Sequence, residues 1–469
     1  MGLSAAMEIG MNGLNIYRVA TEVTSENIAN VNTPGYSRQR VIFESAPPTT
    51  ANGFPLGTGV VISSVERYYD GLLQQQLVNA QSTQGYDTTK SSVLQQIEPI
   101  FNEVTTDGLG AAISNYFGAW QDLTLNPAGS AERQEVLSRT QILTDNFHSV
   151  SKALTDTISI QNDSLKPLTD GINATLTNIA QLNSQIKATQ LVSGNANEIR
   201  DQRDQLIRDL SAQIGITYTE NSDGTTDIKF ADSGAALVTG PTAGSFSLTT
   251  NAGTGNYDVN VTPADSAVAA AVSPTTGQLG ATLKLRDIII PDYLKQVDSL
   301  ASGIVSQVNT LHNIVTNPLK SYDLNGNPGG NFFDPTKITA ATISIDAGIT
   351  GTNKIAASGS ATAIGDNSNA VALAQLQNKK TMSTNTATFN SYYDSLVSQV
   401  GLDTRSAKNT EAQDIAFTKQ LTTLRDSNSG VSLDEELTNL IKYQRSYEAS
   451  SKIITTATAM MDTVLGLIR

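Results

Sequence analysis

The sequence predicts a multidomain, mainly α protein with an inserted all-β domain, whose N- and C-terminal helices pair as a coiled coil. Three observations carry that expectation. Apolar residues recur every seven positions at both ends of the chain, helical spacing fills most of the middle, and from Gly215 the period changes to strand-like segments rich in Thr, Gly, Asn and Val. At 469 residues the chain is too long for one ordinary core. Its 39% hydrophobic and 16% charged residues fall below the usual globular shares, with Ser, Thr, Asn, Gln and Ala in their place. Such a composition suits long helices with shallow apolar seams better than a dense enzyme core.

At the N-terminus, Leu3, Gly10, Tyr17, Thr24 and Val31 form one row of the heptad pattern; Met7, Leu14, Thr21 and Ile28 form the other. The helix stops in "SENIANVNTPGYSRQRV", Ser25 to Val41, which crowds Asn27, Asn30 and Asn32 before Thr33-Pro34-Gly35-Tyr36. Pro34 and Gly35 suit the central positions of a type II turn. Asn30 or Asn32 is expected to end the helix in the left-handed conformation that asparagine tolerates. Amides are costly to bury without partners, so Asn27 and Asn30 are expected to bond to adjacent subunits.

Helical spacing follows over about 84–103 and 110–125. A turn at Asn126-Pro127 opens an amphipathic helix through Leu137, Ile142, Phe147 and Leu154, and a further helix covers about 165–213. "GITYTENSDGTTDIKF" then reads as strand, turn at Asp223-Gly224, strand. Helix returns from Leu285 to Val315, a loop-and-strand region with "TISIDAG" runs from Ser321 to about Gly359, and helix resumes over about 367–427. In the last helix Leu433, Leu440, Tyr447, Ile454, Met461 and Ile468 are spaced by seven, beside a companion row of Leu437, Gln444, Ser451, Thr458 and Leu465. The expected layout pairs 1–60 with 431–469, builds a rod-like helical body from 61–214, 281–320 and 365–430, and projects a β domain outward from 215–280, with 321–364 a candidate addition.

Little in the chain suggests reaction chemistry. The net charge of −14, without a Lys/Arg cluster, argues against a nucleic-acid groove or an anionic membrane surface. The absence of cysteine excludes disulfides, thiolate nucleophiles and Cys-ligated zinc. No run of about 18 apolar residues is present, and the N-terminus lacks the pattern of a cleavable signal. His148 and His312, the two histidines, have no second ligand at metal spacing, and Trp120 reads as core. In "DLNGNPGGNFFD", Asp323, Asn325, Asn327 and Asp334 fit calcium-loop spacing, but Pro328 stands where such a loop needs Gly, so a polar turn is expected. No catalytic, cofactor-binding or metal residue is expected, and the chain does not read as an enzyme.

The two ends together resemble one family. Asn27, Ile28, Ala29, Asn30, Thr33, Pro34, Gly35 and Tyr36 match the N-terminal signature of the bacterial flagellar axial proteins, which comprise rod, hook and hook-associated proteins. Gln444, Arg445, Tyr447, Ala449 and Lys452 match their C-terminal pattern. The "GVSLDEEL" entry to the last helix, the long helical body and "GQLGATLKLRD" resemble the hook-associated branch; a hook or rod subunit and an adhesin using the β segment are the rival readings.

The resemblance implies a structural junction between hook and filament, assembled as a ring of subunits and exported unfolded through the flagellar type III apparatus. It implies a cytoplasmic stage before export and then a place in the flagellum outside the cell. The implied partners are copies of itself, hook protein on the proximal side, a second hook-associated protein (FlgL type) on the distal side and an export chaperone (FlgN type), with no nucleic acid and no membrane insertion. The expected assembly interface comprises Leu14, Asn27, Ile28, Asn30, Thr33, Pro34, Gly35, Tyr36, Leu433, Leu437, Leu440, Gln444, Tyr447, Ile454, Met461, Leu465 and Ile468.

Overall fold

The computed structural model describes residues 2–51, 54–101 and 108–466. The chain begins with α1 (Gly2–Ala29), then β1 (Gln39–Ser45), β2 (Thr49–Ala51), β3 (Phe54–Leu56) and β4 (Val60–Arg67). Helices α2 (Gly71–Ile97), α3 (Leu109–Leu125), α4 (Ser130–Ser193) and α5 (Asn197–Gln213) follow. Strands come next: β5 (Ile216–Glu220), β6 (Thr226–Phe230), β7 (Ala236–Thr239), β8 (Thr242–Ala243), β9 (Ser245–Thr250), β10 (Tyr257–Thr262) and β11 (Ala270–Ala271). The chain returns to helix in α6 (Gly277–Lys284), a π-helical turn at Leu285–Ile289, α7 (Ile290–His312), α8 (Ser368–Gln375), α9 (Phe389–Ser429) and α10 (Leu433–Gly466). The architecture is mainly α with an inserted antiparallel β region and long helices at both ends, as the periodicities predict.

Two compact units divide the chain. The first draws on residues 1–86, 167–277 and 413–469. In it α1 packs along α10, and β1 pairs antiparallel with β4 from Gln39↔Arg67 to Ser45↔Val60, with a bulge between Ile42 and Phe43. Strands β5-β6-β7-β8 form one antiparallel sheet and β11-β10-β9 another. The β5–β6 turn carries Gly224 at φ +75°, a left-handed position where a side chain would be strained. Asn183 of α4 ties the first sheet down by donating to the Thr226 and Gly240 carbonyls, both at 2.8 Å, and accepting the Thr226 N–H at 3.0 Å.

The second unit draws on residues 87–166 and 278–412. Its core is a single aromatic-rich cluster in which Tyr116, Phe117, Trp120, Phe332, Phe333 and Phe389 are fully buried. Each side chain of this kind contributes about 1.5–3 kcal/mol by leaving water. Trp120 meets Phe332 edge-on at 5.4 Å between ring centroids, and Phe117 stacks on Phe389 at 5.7 Å.

Local structure departs from expectation in three places. The hairpin of 39–67 was not expected, although "VIFES" and "VVISSVER" are rich in the β-branched residues that favour strands. Helix α4 runs unbroken through Pro167, where a separate helix was expected to begin near 165, and stops before Gly194 at φ +91°, where the expected helix continued to 213. Pro167 removes one backbone hydrogen bond, but Leu165 and Ile172 on either side are fully buried, which holds the helix together. Residues 321–360 hold isolated bridges, Phe333↔Ile345 among them, rather than the expected strand at "TISIDAG". Their backbone groups bond largely to turns and to side chains such as Asn309, which accepts the Phe332 and Phe333 N–H groups, both at 2.9 Å.

Candidate functional site

The end of α1 is held by one asparagine. Asn27 is 1% exposed and fills all four of its hydrogen-bonding positions within the chain. Its Nδ2 donates to the Gln39 carbonyl at 2.8 Å and to Glu436 Oε2 at 3.0 Å; its Oδ1 accepts the Tyr36 hydroxyl and the Gln39 N–H, both at 2.9 Å. One amide thus ties α1, the following turn, β1 and the first turn of α10. Asn27 has no capacity left for an adjacent subunit, which corrects that expectation. Asn30 is also engaged locally: it donates to the Glu26 carbonyl at 3.1 Å and accepts from the Thr33 hydroxyl at 3.0 Å.

The turn has the expected form. Tyr36 N–H donates to the Thr33 carbonyl at 3.2 Å across Pro34 and Gly35, and Gly35 sits at φ +84°, as the third position of a type II turn requires. A Cβ on Gly35 would lie 3.0 Å from Gln205 Oε1 and 3.3 Å from Arg208 Nη2. Neither Asn30 nor Asn32 takes the left-handed conformation; α1 ends through a tighter Thr33 N–H to Asn30 carbonyl bond at 2.9 Å.

Behind the turn, Asp201 of α5 accepts the Ser37 N–H and Arg67 Nη1, both at 2.7 Å, while Arg67 also reaches Asp204 at 2.8 Å. Arg38 pairs with Glu435 at the start of α10 and lies 4.2 Å from the Tyr68 ring centroid. A hydrogen bond to Glu198 of α5, then burial, push the Glu26 pKa up to about 7.

The α1–α10 seam uses half of each expected pattern. On α10 the row meeting α1 is Glu436, Tyr443, Ser450 and Ala457, one residue before the expected companion row of Leu437, Gln444, Ser451, Thr458 and Leu465. On α1, Gly10, Tyr17 and Thr24 of the expected first row lie in the seam, joined by Gly13, Ala20 and Asn27 rather than Leu14, Thr21 and Ile28. Small residues win because the backbones approach closely. A Cβ on Gly10 would sit 2.7 Å from Ile454 Cγ1, and one on Gly13 would sit 2.6 Å from Ser450 Oγ. Tyr17, Phe43 and Tyr443 close the seam toward β1, with centroids 6.2–6.5 Å apart. Gly10→Leu should therefore force the helices apart at a cost of about 1–3 kcal/mol. Hydrogen exchange of the α1 amides should speed accordingly, and unchanged protection would count against the close seam.

Of the remaining predicted positions, Leu14, Ile28, Leu440 and Ile454 are half-buried, and Leu433, Leu437, Gln444, Tyr447, Met461 and Leu465 are exposed. Ile468 lies outside the described residues. Sequence reading missed Glu436, Asp201, Arg67 and Gly13, whereas Gly10 already stood in an expected seam row. Gly10 and Gly13 were legible as a small-residue stripe; the partners of Asn27 lie 12 and 409 positions away, where no local pattern points.

The histidines are structural. His148 Nε2 lies 2.9 Å from the Ile343 carbonyl. His312 is fully buried, with Nδ1 2.7 Å from the Gly330 carbonyl and Nε2 accepting the Ala356 N–H at 2.8 Å. Asp323 closes a polar turn, accepting the Asn325 and Asn327 N–H groups at 2.9 and 2.8 Å and pairing with Lys354 at 3.4 Å. Among the described residues no helix is long and apolar enough to cross a membrane.

Comparisons with known proteins converge. Residues 94–333 match the family model of the flagellar hook-associated protein FlgK helical domain. Residues 7–36 match the flagella basal body rod protein model, and residues 425–467 match the C-terminal model of the flagellar basal body rod FlgEFG proteins. Flagellar hook-associated protein 1 of Bacillus subtilis (strain 168) is 29% identical over 505 residues, covering 98% of this chain and 97% of that protein. The protein of the same name from Salmonella typhimurium is 26% identical over 562 residues, covering 99% and 100%. The solved structure of the flagellar hook junction protein FlgK from Burkholderia pseudomallei shares the fold with a TM-score of 0.67 at 18% identity, over 76% of this chain and 100% of that one.

Proposed function

The chain belongs to the family of the flagellar hook-associated protein FlgK, and we propose that it acts as a structural junction between the hook and the filament, assembled as a ring of copies through its terminal helices. One observation carries this reading. The α1–α10 pair leaves an apolar face of α10 uncovered: Leu437 is 49% exposed, Ile441 59% and Leu465 59%, with Leu433 on the same side. An outward stripe of large aliphatic side chains on one helix marks an interaction surface. In a ring it is covered by the terminal helices of neighbours, by hook protein on one side and by a second hook-associated protein (FlgL type) on the other. Gln444, exposed on the same helix, sets register there, as polar seam residues do.

The same surface needs cover before assembly, which is the place for an export chaperone (FlgN type). Helices that gain most of their stability from neighbours suit passage as an unfolded chain through the flagellar type III apparatus, with the protein cytoplasmic first and outside the cell in the flagellum afterwards.

Leu437→Asp and Leu465→Asp, each introduced in a strain lacking its own copy, test the reading. Each removes burial contributing about 1.5–3 kcal/mol per contact in every copy of the ring. The expected result is hooks without filaments and unpolymerised flagellin in the medium, while hydrogen exchange of α1 and α10 in the purified variant stays native. Normal filaments on either variant would overturn the assignment of this face.

A further inference from the structure

Beside the Thr33–Tyr36 turn lies a cavity of about 480 Å³ bounded by α2, α5, α9 and the chain from Asn30 to Tyr36. Two guanidinium groups line it, Arg208 of α5 and Arg425 of α9, together with Gln81 and Gln205. Arg208 is only 5% exposed, yet both of its hydrogen bonds go to neutral amides: Gln74 Oε1 at 2.8 Å and Gln205 Oε1 at 2.7 Å. Three carboxylates of its own helix are bonded elsewhere, Asp201 and Asp204 to Arg67 at 2.7 and 2.8 Å and Asp209 to Gln205 Nε2 at 2.8 Å.

Among the described residues Arg425 pairs with one carboxylate, that of its exposed neighbour Asp426 at 3.2 Å, which also lines the cavity, and its Nε is buried without an acceptor. Gln81 Oε1 is buried without a donor. Burial, and after it the positive charge of Arg425, hold the Arg208 pKa below its ordinary value against the pull of Asp204, Asp209 and Asp201. Two cations therefore share a small space with one exposed carboxylate and an orphaned donor on α9, so the positive charge there is only partly balanced.

We propose that this cavity is an oxyanion-binding site in which Arg208 and Arg425 grip one carboxylate or phosphate-like group and Gln81 turns its amide N–H toward it. The planar guanidinium fork matches such groups with paired hydrogen bonds. The site is complete within one chain, so it stands independently of the junction role. Its occupant is either a free anion or an Asp or Glu side chain of a second copy, which a chain of net charge −14 supplies readily.

Calorimetric titration of the full chain with sodium phosphate at constant ionic strength tests the site. Saturable one-to-one binding is expected, weakened about tenfold or more in Arg425→Gln, and weakened in Arg425→Lys, which keeps the charge and loses the fork. Gln81→Leu leaves both arginines in place and should weaken binding less; it keeps the test valid should loss of Arg425 disturb folding. Phosphate should also raise the melting temperature of the native chain more than that of Arg425→Gln, separating site binding from the general effect of the salt. No saturable binding by the native chain, or equal binding by Arg425→Gln, would overturn the proposal. Light scattering at rising protein concentration assigns the source: association suppressed by phosphate in the native chain but not in Arg425→Gln identifies a carboxylate of a second copy, and association indifferent to phosphate identifies a free anion.

Discussion

Asn27→Ala is expected to destabilise the first unit by about 3–5 kcal/mol, the largest effect of any single exchange in the terminal joint. The substitution removes no more volume than a few atoms, so packing is the smaller part of the loss. The larger part is what it strands: the Gln39 N–H and carbonyl, the Tyr36 hydroxyl and the Glu436 carboxylate all lose a partner at once. Glu436 is itself 3% exposed, and its remaining cation, Arg38, stands off at 3.9 Å. Asn27→Asp should be nearly as damaging, since it keeps the two acceptor contacts, loses both donors and sets a carboxylate against Glu436. Hydrogen exchange over residues 27–45 and in the first turns of α10 reads the outcome. A loss under about 1 kcal/mol would show that the four contacts do not act as a unit.

The second large effect is acid sensitivity of the second unit. His312 is neutral in the fold, with its pKa pushed from 6.5 down to about 4, burial being the main cause and Arg133 adding to it against the Gly330 carbonyl and Asp346. Its hydrogen bonds explain the direction: Nε2 accepts the Ala356 N–H, and a proton there would place two donors face to face. An unfolded chain binds that proton more readily than the folded one. Stability is therefore full above pH 6.5 and is lost as pH falls through about 4, amounting to about 3 kcal/mol.

Trp120, the single tryptophan, lies 6.4 Å from the His312 ring between centroids, so its fluorescence follows this unit alone. The denaturant midpoint by that signal should fall steadily between pH 7 and pH 4. Asp323 and Asp366, in which burial is outweighed by hydrogen bonds, are held below the ordinary 3.8 and titrate at lower pH. His312→Gln should be less stable at pH 7 but should lose the slope above pH 4; a native slope that survives this exchange would assign the acid sensitivity to other groups.

Much was legible in the sequence because it is local. Heptad spacing showed that both ends are long helices, the change of period at Gly215 marked the start of the main β region, and Pro34-Gly35 specified its turn, since φ and ψ preferences act over two to four residues. The hairpin of 39–67 was readable in principle from its β-branched residues and was overshadowed by the motif before it. The motif also pointed to the right family, which the comparisons show.

The seam between α1 and α10 was not local. A heptad pattern names candidate rows on one helix, but which row faces the partner depends on how near the two backbones come. Gly10 and Gly13 let Ser450 and Ile454 close in, which draws the polar row of Glu436, Tyr443 and Ser450 inward and leaves Leu437 and Leu465 outside. The role of Asn27 was hidden for the same reason. Its residue type and place could be read from the sequence alone, but its partners are brought together only by the fold. Tertiary structure decided that this amide is spent inside the chain and that the leucines remain for a neighbour, because hydrogen-bond satisfaction and close packing are properties of distances that sequence separation does not contain.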